Sequence, residues 1–153
     1  MTYPFPHSGG VITPPHQYWR LYITATGGMS WISFPTLDLF EVVGGSNIAT
    51  GGSAIASSSY PGEGPSNLFD GNSATVWSNS SPGVYPEWAY YNFGTGVKKN
   101  IVQIGMQTRS GFPSMCPTSF LVQWSDDAST WTTKGTVSGA SAWSDGEYRR
   151  FAF

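Results

Sequence analysis

Apolar and polar residues alternate along several short segments of the chain, which is the pattern of half-buried β-strands. Segment 18–25 places Trp19, Leu21 and Ile23 on one face and mostly polar or phenolic side chains on the other. The same alternation recurs in 102–107 and in 120–124. Glycine, proline and small polar residues close each segment, so the pattern predicts short strands joined by turns.

Further strand candidates account for much of the remaining chain. They are 31–43, 88–94, 100–109, 119–127, 130–139 and 147–153. Pro35 predicts a bulge or an edge in the first of them, and Asp126 and Asp127 open a hairpin turn. A one-turn helix is predicted at 65–69. About eight short strands, with turn signals roughly every 8–12 residues and no helical periodicity, predict an all-β antiparallel sandwich.

Segment 1–17 has a different character from the rest of the chain. Pro4, Pro6, Pro14 and Pro15 exclude a helix and favour an extended conformation. We therefore expect an extended arm over 1–17 followed by one sandwich domain over 18–153. Such an apolar arm packs either against its own domain or on a partner chain, and the sequence leaves both open.

Composition excludes several classes of protein. An aromatic content of 16% is inconsistent with a disordered chain, and a net charge of −2 gives no basic face for nucleic acid. No apolar run approaches the roughly 20 residues of a membrane span. The single cysteine, Cys116, excludes an internal disulfide and is expected to be a small buried residue. The first residues lack the features of a secretory signal, so we expect synthesis in the cytoplasm.

The sequence offers little to support catalysis. Both histidines, His7 and His16, lie in the predicted arm, which leaves the predicted domain without the base of a Ser–His–Asp or Cys–His arrangement. Acidic pairs such as Asp126 and Asp127 lie side by side in a turn, whereas paired-carboxylate hydrolysis needs two acids that face each other across a cleft. We therefore expect a non-catalytic protein.

The order of motifs along the chain points to a family. D-G-N-x-x-T-x-W at 70–77 is followed by W-x-x-x-x-F-G at 88–94 and by S-x-D-x-x-x-W at 125–131. Over 47–153 the chain resembles the discoidin, or coagulation factor 5/8 type C, family of galactose-binding-like jelly rolls. The lead-in segment 18–42 resembles that of bacteriophage virion proteins with such a domain. The resemblance implies a jelly-roll sandwich and a binding function.

The turn at 70–77 is a candidate metal site. Its carboxylate, hydroxyl and carbonyl oxygens are hard ligands of the kind that Ca²⁺ prefers. In the family this turn often holds a structural Ca²⁺, and a glutamate near the last strand often completes the site. The implied ligands are Asp70, Asn72, Thr75 and Glu147. The alternative is that Asp70 caps its own turn and Glu147 is a surface residue.

Ligand sites of the family lie on loops at one end of the sandwich, which correspond here to 57–64, 78–86, 108–117 and 138–146. Exposed aromatic rings stack on the apolar face of a sugar ring, and we expect Trp31 and Trp143 at loop tips. Arg109 either hydrogen-bonds sugar hydroxyls or a carboxylate, or forms a structural salt bridge. Phe112 and Met115 are alternatively anchors for a partner protein or for a membrane surface. The candidate ligand-binding residues are Tyr60, Tyr85, Arg109, Phe112 and Trp143.

Trp77, Trp88, Trp124 and Trp131 are expected in the core or packed on a sheet. The favoured function is a non-catalytic virion component, present in many copies or as a homo-oligomer. Residues 1–17 would attach it to other virion proteins, and its loops would bind host-surface carbohydrate. The alternatives are an assembly protein with no glycan ligand and a free, calcium-stabilised lectin-like module.

Overall fold

The computed structural model describes residues 13–153, which form an all-β domain. Two 3₁₀ helices, Pro65–Phe69 and Pro113–Met115, connect strands, and the first is where the sequence predicts a one-turn helix. Within the described residues no helix combines the length and the apolar character needed to cross a membrane. The strands are β1 (Tyr18–Thr26), β2 (Ser33–Phe34), β3 (Thr36–Phe40), β4 (Ser53–Ala56), β5 (Trp77–Ser78), β6 (Glu87–Asn92), β7 (Gln103–Gln107), β8 (Pro117–Ser125), β9 (Thr132–Val137) and β10 (Tyr148–Ala152).

The strands form antiparallel sheets that enclose one core. A five-stranded sheet has the order β4-β6-β1-β8-β9, a three-stranded sheet has the order β10-β7-β3, and β2 pairs with β5. Trp19, Leu21 and Ile23 of β1 are buried, and Ile104 and Met106 of β7 are buried in the same cluster. This architecture confirms the predicted antiparallel sandwich. Pro35 separates β2 from β3, as its position in a strand pattern predicts.

Strand β7 is the central strand of the three-stranded sheet, between β10 and β3, and its first four residues are buried. Gly105 is paired with Arg150 on one side and Asp38 on the other. A Cβ atom at Gly105 would overlap the ring and hydroxyl of Tyr148, and it would press on Phe40. The hydroxyl of Tyr148 donates to Asp38 Oδ2 at 2.6 Å, which holds the ring in place. A side chain at this position would therefore have to displace the Tyr148 ring from its hydrogen bond with Asp38.

We expect Gly105→Ala to lower the free energy of unfolding by about 1–3 kcal/mol, because an added methyl group in a packed site forces neighbours off their preferred positions. Urea unfolding followed by tryptophan fluorescence measures the change. Gly64→Ala is the matched control, since Gly64 has an ordinary extended backbone and nothing within 4 Å of an added Cβ. Equal stability of the two variants would contradict the packing account.

The outer face of the five-stranded sheet carries a cluster of half-buried aromatic rings around one arginine. The guanidinium of Arg20 lies 4.3 Å from the ring centroid of Trp131 and 4.9 Å from that of Tyr22. The rings of Trp88 and Tyr90 are nearly parallel, with centroids 5.7 Å apart. Trp88 and Trp131 thus pack on a sheet, as expected, but on its outer face, whereas Trp77 is buried in the core.

His16 belongs to the folded domain, so the prediction that both histidines lie outside it is wrong for this residue. His16 is 3% exposed, and its backbone forms two 2.9 Å hydrogen bonds with Lys99. Its ring stacks on Trp124 at 3.4 Å between centroids, and Nδ1 lies 2.9 Å from Asp126 Oδ2. The ring is buried because it stacks on and pairs with residues more than a hundred positions away. A single sequence does not show such contacts. Residues 1–12 of the predicted arm, which include His7, lie outside the described residues.

The two ends of the sandwich are formed by different segments of the chain. Strand β1 begins at Tyr18, next to the buried His16, and we call this the arm end. It finishes at Thr26 at the opposite end, the loop end, about 27 Å away at the usual rise per residue of a strand. At the loop end the N–H groups of Gly27 and Met29 donate to carbonyls of Cys116 and Ser114. The segment that enters the domain and the predicted ligand loops therefore lie at opposite ends.

Candidate functional site

A cleft of about 310 Å³ opens at the loop end, and we call it the loop cleft. Its volume is at the lower limit of the roughly 300–1,000 Å³ typical of small-molecule sites. It contains three of the predicted ligand residues. Its lining residues are Trp31, Ser33, Tyr60, Glu63, Ser78, Arg109, Phe112 and Met115.

One wall of the loop cleft is the segment that follows β7. The N–H of Phe112 donates to the carbonyl of Arg109 at 3.0 Å, which closes a turn, and Gly111 adopts a φ of 78° within it. The N–H of Gly111 donates to Asp145 Oδ1 at 2.7 Å, so the turn is tied to the neighbouring loop. This local structure holds Phe112, which is 46% exposed, at the mouth of the cleft.

The opposite wall is the segment around Tyr60. Backbone hydrogen bonds join Tyr60 and Glu63 to Ser78, at 2.9 and 3.2 Å, so the segment is fixed beside β5. The ring of Tyr60 is 49% exposed and meets the ring of Trp31 edge to face, with centroids 6.0 Å apart. Two aromatic residues on this wall and Phe112 on the other therefore line a shared opening.

Arg109 also lines the loop cleft, and its guanidinium is anchored by a pair of serines. Its Nη1 donates to Ser33 Oγ at 2.8 Å, and Ser33 Oγ also accepts the hydroxyl of Ser78 at 2.7 Å. Arg109 Nη1 lies 3.8 Å from a carboxylate oxygen of Glu63, which is too long for a hydrogen bond. Within residues 13–153, Nη2 and Nε of Arg109 donate to no protein group, so the guanidinium is oriented but keeps free donors.

The prediction that Trp143 is exposed at a loop tip is wrong. Trp143 is 7% exposed, and its Nε1 donates to the carbonyl of Pro117 at 2.9 Å. Its ring contacts Phe151 edge to face, and the guanidinium of Arg149 lies 4.1 Å from its centroid. The loop folds back onto β8 and β10, so the face that a sugar would need is covered by the protein.

Tyr85 is also outside the loop cleft. It is half-buried against the core, and its hydroxyl lies 3.2 Å from Thr26 Oγ1. Of the five predicted ligand residues, the structure thus brings together Tyr60, Arg109 and Phe112 and leaves Tyr85 and Trp143 apart.

Of the four predicted calcium ligands, the structure brings three together and leaves Glu147 apart. The hydroxyl of Thr75 donates to Asp70 Oδ2 at 2.6 Å and lies 2.9 Å from the carbonyl oxygen of Asn72, so these three residues place oxygens together. Glu147 instead accepts from the N–H of Ser144 and pairs with Arg149, and these hydrogen bonds hold the pKa of its carboxyl below its usual value.

Among residues 13–153 no three His, Cys, Asp or Glu side chains converge in a way that suits a metal. Asp70 is the single carboxylate of the turn at 70–77, and Glu147, which was expected to complete the site, is paired with Arg149. The Oδ1 atom of Asp70 also accepts the N–H of Asn72 at 2.8 Å, which is the turn-capping alternative. Calcium binding therefore stays a prediction.

The sequence reasoning missed part of the cleft. Ser33, Glu63 and Ser78 were not identified, because nothing local distinguishes a serine in a short strand or a glutamate in a turn from other surface residues. Trp31 was expected at a loop tip but was not among the five candidate ligand residues, and the structure places it, half-buried, in the cleft lining. Cys116 is fully buried as expected, and burial raises the pKa of its thiol.

Comparison with known proteins identifies the family. No curated protein and no solved structure matched the sequence. The family model of the F5/8 type C domain matches residues 53–152, which include the walls of the loop cleft at Tyr60 and Arg109. This match covers well over half of the chain and includes the motifs at 70–77, 88–94 and 125–131, so the chain belongs to the F5/8 type C, or discoidin, family.

Proposed function

We propose that the protein is a non-catalytic carbohydrate-binding domain whose ligand occupies the loop cleft. Domains of this family commonly bind carbohydrates or other ligands. The observation that carries the proposal is that Trp31, Tyr60 and Phe112 surround an oriented guanidinium with unused donors. Pyranose rings have apolar C–H faces and a rim of hydroxyls, so aromatic rings beside hydrogen-bond donors are complementary to them.

The cleft is weakly charged, since Glu63 partly compensates Arg109. This balance favours a neutral or weakly acidic sugar over a strongly anionic ligand. It also gives little attraction to a membrane of anionic lipid, which recruits clusters of basic residues.

A glycan array probed with the tetramerised protein tests the proposal. We expect binding to a subset of hexose-containing glycans, and we expect Tyr60→Ala to reduce the signal about tenfold or more, because avidity amplifies a small loss of affinity per site. Ile55→Ala is the matched control, since Ile55 is 50% exposed on β4 and does not line the cleft. Absence of binding by wild-type protein, with and without Ca²⁺, would reject the proposal.

We also propose that the protein is a virion component attached through its N-terminal segment, a role with which the polarity of the sandwich agrees. Residues 13–17 join the domain at the arm end, and the loop cleft lies at the other end of β1. Attachment through residues 1–12 would therefore leave the cleft facing away from the particle. Many copies on one particle would supply avidity to weak single sites.

Deletion of residues 1–12 tests attachment without disturbing the domain, whereas deletion of 1–17 would also remove the buried His16. We expect particles purified from cells that produce the tagged full chain to carry it, and those from cells that produce the shortened chain to lack it. An immunoblot of the particles measures both. Equal incorporation of the two chains would exclude attachment through this segment.

A further inference from the structure

A second cleft, of about 370 Å³, adjoins the loop cleft. Arg109 and Glu63 line both clefts, so this charged pair forms the boundary between them. We call the second one the side cleft. Its other lining residues are Gly62, Asn67, Ser73, Ala74, Thr75, Val76 and Ser110.

The two clefts differ in chemistry. Aromatic rings and Met115 dominate the loop cleft, whereas hydroxyl and amide groups dominate the side cleft. Within the described part of the chain, the hydroxyls of Ser73 and Ser110 have no hydrogen-bond partner. Asn67 donates through Nδ2 to the carbonyl of Val76 at 2.8 Å, which leaves its side-chain oxygen as an acceptor. The side cleft thus offers donors and acceptors with little surface for stacking.

The boundary between the clefts suits a hydroxyl group. Arg109 Nη1 and Glu63 Oε1 are 3.8 Å apart, so the two charged groups lie side by side without a hydrogen bond. A hydroxyl both donates and accepts, and one that contacts both groups from the cleft would accept from the guanidinium and donate to the carboxylate. A simple anion would satisfy the arginine but would be repelled by the glutamate.

On these grounds we propose that the ligand is an oligosaccharide of at least two units that crosses the Arg109–Glu63 pair, with one ring stacked in the loop cleft and the next hydrogen-bonded in the side cleft. This inference rests on the proposed function and adds to it the length and orientation of the ligand. Each cleft alone is at the small end of the usual range for ligand sites, which fits one sugar unit in each.

The test compares ligand lengths. Methyl glycosides of galactose, glucose, mannose and N-acetylglucosamine, and di- and trisaccharides of each, are titrated into the protein and followed by two-dimensional amide NMR. We expect at least one disaccharide to bind about tenfold or more tightly than its methyl glycoside. We also expect amide shifts at residues 73–75 and 110 with that disaccharide only.

Ser73→Trp fills the side cleft from the turn at 70–77, which contributes no residue to the loop cleft, and Ser138→Trp is the matched control, because Ser138 is exposed and lines neither cleft. We expect Ser73→Trp to remove the gain from the second unit while monosaccharide affinity stays within about twofold of wild type, and Ser138→Trp to retain that gain. Equal affinity for one and two units, or an equal loss of both in Ser73→Trp, would overturn the inference while the proposed function stands. If no sugar of any length binds, the proposed function fails and this inference fails with it.

Discussion

Trp143→Ala is expected to lower the free energy of unfolding by about 3–5 kcal/mol, the usual cost of removing a large buried aromatic side chain. The ring is 7% exposed and contacts Phe151, and its Nε1 donates to the carbonyl of Pro117. Its loss would leave a cavity beneath the loop and would remove the surface on which Arg149 rests. Urea unfolding monitored by circular dichroism measures the effect.

Two comparison variants separate the contributions to this effect. Trp143→Phe retains a ring and removes the N–H group, so it is expected to cost about 1–3 kcal/mol, as for a buried carbonyl that loses its donor. Trp31→Ala removes a half-buried ring of the loop cleft, and we expect a small change in stability together with a loss of glycan binding. If Trp143→Ala retained wild-type stability and lost glycan binding, Trp143 would be a ligand residue after all.

Arg109→Ala is expected to reduce affinity for the cognate glycan about 10- to 100-fold, the range for hydrogen bonds that involve a charged group. The guanidinium is held by Ser33 at 2.8 Å and faces both clefts, so its removal takes donors from each at once. Isothermal titration calorimetry with the best glycan from the array measures the loss. Because Arg109 is half-exposed and its contact with Glu63 is long, we expect the stability of the domain to change little.

Arg109→Lys is the matched variant for the geometry of recognition. Lysine retains the charge but has no planar fork of donors, so we expect it to restore less than half of the lost binding free energy. Full recovery in the lysine variant would show that charge alone recruits the ligand. Unchanged affinity in Arg109→Ala would favour the alternative in which this arginine is only structural.

The strands were predictable because their signal is local. Side chains alternate between the two faces of a strand with a period of two, so Trp19, Leu21 and Ile23 indicate a buried face whatever surrounds them. The turn at 70–77 was also predictable, since Asp70 and Asn72 bond to backbone groups two residues further on. The discoidin family followed from the order of such local motifs along the chain.

The exposure of the loop aromatics depended on the tertiary structure. Tyr60 and Trp143 occupy similar glycine- and serine-rich loops, yet one is 49% exposed and the other 7%. What separates them is contact with distant segments, since Trp143 is covered by β8 and β10. No periodic pattern within a loop encodes such contacts.

The sequence by itself therefore determined the all-β architecture, the family and two loops, 57–64 and 108–117, that line the loop cleft. Only the tertiary structure showed that His16 packs inside the domain, and that Arg109 is held by Ser33, 76 residues away, beside Glu63. The physical reason is the range of the interactions involved. Alternation and turns arise between neighbours in the chain, whereas a binding cleft forms where strands and loops distant in sequence are packed side by side.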